Sequence, residues 1–214
     1  MTISRTLASA AAAVAATALL VLSGCSADAG SSPAPTSSPV GLPATAPVVA
    51  PPEGPVTAAG MVIDAAGDVE ICLGIVMESY PPQCVGVPVD GWTWDQVEGS
   101  ESSGEVRWGS YAAQGTYDGE RFMLTDPPIL LALYDPMPIE DPTRGVDGHT
   151  DDRDLSLIQD EVFAWLGTDA LTAWPERGYV WMQVVWDDGT LQDAVDTAYR
   201  KGVVIVTSAI RTVG

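Results

Sequence analysis

The chain has 214 residues, of which 29 are acidic and nine are basic, and its formal net charge at pH 7 is -20. This balance excludes nucleic acid as a partner, because phosphate binding needs a cationic face. It equally excludes electrostatic docking on anionic lipid. The simplest explanation of the acidic residues is that their charge keeps a surface-exposed protein soluble.

Residues 1–24 predict a signal peptide. Arg5 supplies a positively charged start, and residues 8–22 form an apolar run rich in Ala, Val and Leu. A bilayer span needs about 20 such residues. The run therefore fits the apolar region of a signal peptide better than the alternative, an uncleaved anchor helix. No later stretch is long and apolar enough to cross a membrane.

The apolar run ends in Leu22-Ser23-Gly24-Cys25. This motif resembles the bacterial lipobox, in which an aliphatic residue, a small residue and Gly or Ala precede a Cys. The resemblance implies a diacylglyceryl group on the Cys25 sulfur and cleavage just before that residue. Two acyl chains suffice for stable attachment. The expected protein is a lipoprotein on the outer face of the cell membrane, which contacts the membrane through the lipid on Cys25.

Cys72 and Cys84 remain as an even pair once Cys25 carries lipid. In an oxidising, exported compartment such a pair usually forms a disulfide. Closing a loop of about a dozen residues contributes about 3 kcal/mol to stability. The alternatives are a reactive thiol pair or a metal site, but zinc needs more ligands and His149 is the only histidine.

Residues 25–55 predict the lipidated cysteine followed by a disordered tether. The segment consists almost wholly of Ala, Ser, Thr, Pro, Gly and Val, and it holds eight of the 17 prolines. Such a composition cannot bury a core, and its prolines favour extended polyproline II structure. A proline-rich recognition segment is the alternative.

Residues 56–134 predict a small, mostly antiparallel β domain. Asp118-Gly119 is the strongest hairpin signal in the chain. A short helical turn is expected at 92–97, between the third and fourth strands. Five strands with this helix resemble the order of an OB-like barrel. The strands are expected at 56–64, 69–77, 83–88, 106–116 and 121–125.

Residues 135–151 are rich in Pro, Gly and Asp and predict an acidic linker. Residues 152–214 then predict an α/β domain, which makes the whole chain α+β. Its first helix is indicated by apolar residues on one face, namely Leu155, Ile158, Val162 and Trp165.

Residues 179–211 predict a strand-helix-strand unit. The strands are expected at 179–186 and 203–210, parallel to each other with a right-handed crossover if they share one sheet. Thr190 is expected to cap the start of the helix, and Gly202 suits the position just after its end.

Two stretches, ICLGIVMESYPPQC at 71–84 and VVIVTSAIRTVG at 203–214, are similar to a group of actinobacterial exported lipoproteins without assigned activity. The resemblance implies only the class of protein, an exported lipoprotein, and its location outside the cytoplasm. It implies no catalytic residue.

The local signatures of common hydrolases and nucleotide-dependent enzymes are absent. The sequence contains neither G-x-S-x-G nor S-x-x-K, and neither of the glycine-rich nucleotide loops. His149, the only histidine available as a catalytic base, is interpreted as solvent-exposed. Carboxylate pairs stay open, because with 29 acidic residues some will lie close together by chance.

Four aspartates form the densest acidic patch and a candidate calcium site: Asp147, Asp151, Asp152 and Asp154. Extracellular calcium sites use carboxylate oxygens at such loop-to-helix junctions. The spacing does not match an EF-hand, and negative residues also favour a helix N-terminus on electrostatic grounds alone. No other cofactor is expected.

Two aromatic pairs, Trp92 with Trp94 and Tyr179 with Trp181, have the spacing that places both rings on one strand face. Such rings can stack a sugar or a peptide, but packing in the core is the favoured interpretation.

Three functions are compatible with these patterns. The favoured one is a non-catalytic, membrane-anchored module that binds a protein, a cell-wall glycan or a small ligand. The alternatives are a cell-wall hydrolase that uses carboxylates and a calcium-dependent interaction module.

Overall fold

The computed structural model describes residues 41–136, 138 and 141–213. The predicted signal peptide, the lipobox with Cys25 and the first part of the predicted tether lie outside the described residues. The N-terminal part of the described chain is built from strands, with bounds β1 (Val56–Ala65), β2 (Asp68–Cys72), β3 (Val87–Asp90), β4 (Glu101–Ser103), β5 (Val106–Tyr117), β6 (Phe122–Leu124) and β7 (Ile129–Leu130).

Five of these strands close into a barrel in the order β1-β2-β3-β6-β5-β1. All neighbours in the barrel are antiparallel except β3 and β6, which run parallel. A short 3-10 helix, Trp94–Gln96, lies between the third and fourth barrel strands, and β4 and β7 both pair with β5. The OB-like strand order indicated by the sequence is therefore confirmed.

The turn between β5 and β6 shows why the strongest hairpin signal was correct. Gly119 has a φ of 103°, which side chains rarely tolerate. The Asp118 carboxylate accepts the backbone N–H groups of Glu120 and Arg121 at 2.9 and 2.7 Å. The side chain thus satisfies the turn's own donors and fixes the register of the hairpin.

The barrel interior is filled by apolar side chains that alternate along its strands. Because successive side chains of a strand point to opposite faces of the sheet, every second residue of a barrel strand points into the interior. The buried residues of this core are Val56, Ala58, Val62, Ile71, Leu73, Val87, Val89, Trp92, Tyr111, Ala113, Tyr117, Phe122 and Ile210.

A smaller apolar cluster lies on the outer face of the barrel, where Ile63 and Trp108 are buried beside Cys72. The predicted disulfide between Cys72 and Cys84 is present. It holds the loop 73–86 over this cluster, and the Tyr80 ring packs edge-on against Trp108 with 5.5 Å between ring centroids.

The C-terminal part is a three-stranded sheet with two helices. The sheet order is β10-β9-β8, with β9 and β10 parallel and β8 antiparallel to β9. The predicted strand-helix-strand unit is therefore confirmed. No helix among the described residues is both long and apolar enough to cross a bilayer. The bounds are α1 (Asp152–Leu166), β8 (Ala170–Glu176), β9 (Tyr179–Val184), α2 (Thr190–Tyr199) and β10 (Val204–Ser208).

Helix α2 is capped differently from the prediction. Thr190 is the first helical residue, and Gly189 occupies the cap position without a side-chain bond. The free N–H groups of Leu191 and Gln192 are instead accepted by the carboxylate of Asp187. The prediction of Thr190 as the cap is wrong because an acidic side chain further upstream reaches the same donors.

The linker predicted at 135–151 joins two sheets of one unit. The last strand, β11 (Arg211–Thr212), returns to the barrel and pairs with β1. Ile210 is buried in the barrel core, and Leu171 and Trp186 pack against it. The described residues accordingly form one compact unit.

The segment 41–55 is not a free tether. Two indole N–H groups bind backbone carbonyls of this segment: Trp165 donates to Pro43 and Trp186 donates to Ala50, each at 2.9 Å. Extended proline-rich chain keeps its carbonyls free of internal hydrogen bonds, so they are available to such donors. The prediction of disorder is wrong here, because three side chains also pack against the α/β core, namely Leu42, Ala46 and Val49.

Candidate functional site

The candidate calcium site is not assembled. Its four members, Asp147, Asp151, Asp152 and Asp154, are all exposed. Among the described residues no group of three His, Cys, Asp or Glu side chains is placed to hold a metal ion. Asp152 and Asp154 lie in the first turn of α1, where negative charge stabilises the helix through its dipole. The favourable interaction of negative charge with the start of the helix therefore accounts for this acidic patch.

The first aromatic pair closes one end of the barrel. Trp92 is buried, and the rings of Trp92, Trp94 and Tyr111 meet edge-on with centroids 5.2 to 6.2 Å apart. The Trp94 indole donates to Asp64 at 2.7 Å, and the Arg107 guanidinium lies over the Trp94 ring at 4.7 Å. Trp92 and Trp94 therefore pack at the core, as favoured from the sequence.

The second aromatic pair lies on the sheet of the α/β part. Trp181 is buried, with its ring edge-on to Tyr179 at 6.5 Å. Trp174 stacks on Trp181 with 6.4 Å between centroids and is 38 % exposed. This pair too packs mainly in the core, although Tyr179 also lines a pocket beyond the end of the sheet.

No carboxylate among the described residues has the burial that a general acid needs, because none of the Asp and Glu side chains in that part of the chain is buried. Four carboxyl groups have a clearly altered pKa, and in each the pKa is lowered, chiefly by a hydrogen bond donated to the carboxylate. They are Asp90, Asp118, Asp141 and Asp188. A general acid needs a pKa shifted in the opposite direction.

A pocket of about 420 Å³ brings together the chain's only histidine and its only lysine, His149 and Lys201, with Arg200 beside them. We call it the basic pocket. It lies where the end of α2 and the start of β10 meet the loop before α1 and the β8–β9 turn. Its lining residues are Val146, Asp147, Gly148, His149, Thr150, Gly178, Tyr179, Arg200, Lys201, Gly202 and Val203.

The inner wall of the basic pocket is a contact between two glycine backbones. Arg177 and Gly178 have φ values of 52° and 77°, as the turn between β8 and β9 requires. Gly148 lies against this turn and donates its N–H to the Arg177 carbonyl at 2.7 Å. A Cβ on Gly148 would stand 2.4 Å from the Gly178 carbonyl oxygen. Only glycine allows this approach.

An aspartate clamp holds the loop that carries Gly148 and His149. Asp141 accepts hydrogen bonds from the backbone and hydroxyl of Thr143, from the Gly145 N–H, and from the Arg177 guanidinium at 3.0 Å. The Thr143 hydroxyl is the largest of the causes that lower the pKa of Asp141 to about 2. Asp141 is therefore a carboxylate near neutral pH and joins the loop to the β8–β9 turn.

The charge of the basic pocket runs against the charge of the whole chain. In the described part of the chain, neither Arg200 nor Lys201 forms an ion pair. His149, Arg200 and Lys201 are all exposed to solvent. Asp147 offsets one of the two permanent positive charges. The pocket is thus a locally cationic, solvated site on a protein with a net charge of -20.

A second hollow, of about 320 Å³, adjoins the basic pocket and shares Tyr179, Lys201 and Gly202 with it. We call it the apolar hollow. Its remaining lining residues are Pro142, Thr143, Gln192, Asp196, Val204 and Ile205.

Another hollow, of about 440 Å³, lies on the outer face of the barrel beside the disulfide loop and is lined by Asp68 and Glu70 among others. Glu70 already accepts the Gly86 N–H at 3.2 Å. Its acidic character matches the rest of the surface, so it marks no particular ligand.

Sequence reasoning did not find the basic pocket. Arg200 and Lys201 follow the last residue of α2, and His149 is exposed, as predicted. Neither local feature reveals that the three side chains line one pocket. The only signal in the sequence was that lysine and histidine each occur once.

Comparison with protein-family models, with curated proteins and with solved structures finds no match.

Proposed function

We propose that this protein is a lipid-anchored, non-catalytic binding module on the outer face of the cell membrane, and that its ligand occupies the basic pocket. One observation carries the binding role. The only lysine, the only histidine and an arginine without an ion-pair partner line one open pocket of an acidic protein. Solubility does not account for Arg200, Lys201 and the only histidine lining the same pocket.

The dimensions and construction of the pocket support the same role. Ligand pockets usually have volumes of about 300–1,000 Å³ and rigid walls, and this one has about 420 Å³. Its walls belong to the ends of α2 and β10 and to a turn and a loop that are hydrogen-bonded to each other. A pre-formed site of this kind loses little conformational entropy when a ligand binds.

The anchor is supported by the motif Leu22-Ser23-Gly24-Cys25 at the end of the apolar run. The disulfide between Cys72 and Cys84 fits an oxidising compartment outside the cytoplasm. Lipidation of Cys25 explains why the third cysteine needs no partner.

Replacing Cys25 with serine removes the sulfur that carries the lipid. We expect Cys25→Ser to leave the membrane fraction of the native cells or to accumulate as uncleaved precursor, whereas the unmodified chain stays with the membrane. Cell fractionation and the mass of the isolated protein measure this. Ser23→Ala is the matched control, since it keeps a small residue in the motif. Full membrane retention of a processed Cys25→Ser protein would contradict the anchor.

The single lysine also makes the location of the pocket measurable. In intact cells, an amine reagent that cannot cross membranes should modify Lys201, because this side chain is exposed at the mouth of the pocket. Mass spectrometry of the peptide that contains Lys201 detects the adduct, and Lys201→Arg should abolish it. If the reagent modifies Lys201 only after cell lysis, the pocket does not lie on the outer face of the membrane. That result would contradict the proposed location.

A further inference from the structure

We infer that the basic pocket and the apolar hollow together bind one small ligand, which carries a carboxylate or phosphate group next to an apolar group. The inference depends on the proposed binding role of the basic pocket, but not on the lipid anchor. It follows from the chemistry of the two adjoining cavities and from the way the polar groups between them are already hydrogen-bonded.

The basic pocket has the donors that an anionic group needs. Arg200 and Lys201 carry permanent positive charges, and His149 and Thr150 add further donors to the same lining. Hydrogen bonds from charged donors to carboxylate or phosphate are about twice as strong as neutral ones. Asp147 cancels one of the two permanent positive charges, and Asp196 lines the adjoining hollow together with Lys201. The site therefore suits a small group with a single negative charge rather than a long polyanion.

The position of Arg200 and Lys201 has a second explanation that covers only part of the observation. Both follow the last residue of α2, Tyr199, where positive charge interacts favourably with the helix dipole. That effect accounts for two cations at this end of the helix. It does not account for His149, which the loop before α1 brings to the same pocket.

Two polar side chains of the apolar hollow, Gln192 and Asp196, are already hydrogen-bonded within the protein. The Gln192 amide donates to the Val204 carbonyl at 3.0 Å and accepts the Val206 N–H at 2.9 Å. Asp196 accepts hydrogen bonds from Gln192 and from the Gly202 N–H. What the hollow offers a ligand is therefore mainly apolar surface, from Pro142, the Tyr179 ring, Val204 and Ile205.

The same Gln192 side chain also indicates which ligands do not fit. β10 is an edge strand of its sheet, and a free edge is where an extended peptide adds as a further strand. Gln192 occupies two of the backbone groups that such a peptide would pair with. The site therefore suits a compact ligand, with its anionic group at Lys201 and its apolar group beside Tyr179.

Three simple probes test the inference: acetate, benzoate and inorganic phosphate, each added at constant ionic strength to the full chain in mild detergent. Two-dimensional NMR should show saturable shifts of the Gly148, Gly178 and Gly202 amides. Amides in the barrel turns, such as Gly67 and Gly119, should not move. Benzoate should bind roughly tenfold more tightly than acetate, because its ring removes apolar surface of the hollow from water.

Substitutions of Lys201, which lines both cavities, distinguish the effect of its charge on binding from a structural effect. Lys201→Gln should weaken binding of all bound probes at least fivefold, and Lys201→Arg should restore it. Arg153→Gln is the matched control: it removes the same charge from the exposed first turn of α1, outside the pocket lining, and should leave affinity unchanged.

Each outcome of the titration has a defined meaning. Saturable binding of either anion that depends on Lys201, together with tighter binding of benzoate, supports the inference and tells whether carboxylate or phosphate is preferred. Equal affinities for acetate and benzoate would overturn the two-part ligand, and an absence of saturable shifts would overturn anion binding altogether. Either failure leaves the fractionation of Cys25→Ser unaffected, so that failure of the anchor is recognised separately.

Discussion

Replacing Gly148 with alanine should lower the free energy of unfolding by about 1–3 kcal/mol, as overpacking of a tight contact does, and should weaken binding in the basic pocket. The added Cβ would stand 2.4 Å from the Gly178 carbonyl oxygen and 2.8 Å from its carbon. Both are backbone atoms and cannot rotate away. The loop before α1 must therefore move off the β8–β9 turn, which separates the two segments that form the inner wall.

Urea denaturation of Gly148→Ala measures the stability change, and the benzoate titration measures the change in affinity. Gly54→Ala is the control, because a Cβ there meets no atom within 4 Å and its φ is not in the left-handed region. It should change stability by less than about 0.5 kcal/mol. If Gly148→Ala and Gly54→Ala behave alike, the glycine contact does not shape the pocket.

The closed barrel could be predicted because its strands carry their own signals. Their apolar residues alternate, and Asp118-Gly119 marks one hairpin unambiguously. The strands that escaped prediction lack such signals. β4 and β11 have three and two residues, which is too short for a period to appear. β8 ends in Pro175 and Glu176 and buries none of its residues fully, so its pattern resembles a loop.

The extended segment at 41–55 shows a different limit. Its composition correctly excludes a core of its own, but composition cannot reveal partners supplied from elsewhere. The indoles of Trp165 and Trp186 lie more than 100 residues further along the chain and donate to carbonyls of this segment. Only the tertiary structure brings those donors to Pro43 and Ala50. A free tether and a segment packed against the domain therefore look identical in sequence.

The basic pocket was beyond sequence reasoning for the same physical reason. Its walls come from three segments, 146–150, 178–179 and 200–203, which lie far apart in the chain. Their meeting depends on the parallel register of β9 and β10 and on the hydrogen bond between Gly148 and Arg177. Arg200 and Lys201 follow the end of a helix and His149 lies in a loop, so each has an ordinary local explanation. The functional signal is their convergence, which is a property of the topology.

Removal of the disulfide between Cys72 and Cys84 should destabilise the barrel. Substituting Cys72→Ala together with Cys84→Ser should lower the free energy of unfolding by about 3 kcal/mol, since the bond closes a loop over a sequence separation of 12. Cys72 is 3 % exposed and lies beside Ile63 and Trp108. Alanine therefore replaces it without placing a hydroxyl in an apolar site.

Without the disulfide, local opening of the loop 73–86 should become easier than opening of the barrel core. The middle of the loop is then free to leave the outer face, because Tyr80 is 74 % exposed and meets Trp108 edge-on. The ends of the loop stay in place, since Leu73 is buried in the barrel core and Gly86 is hydrogen-bonded to Glu70. Solvent would then reach the Trp108 ring, and tryptophan emission should move to longer wavelength before global unfolding in urea. A reductant should bring the unmodified protein to the stability of the double variant and leave the variant itself unchanged. If instead the reductant lowers the stability of both proteins equally, the loss does not arise from this bond.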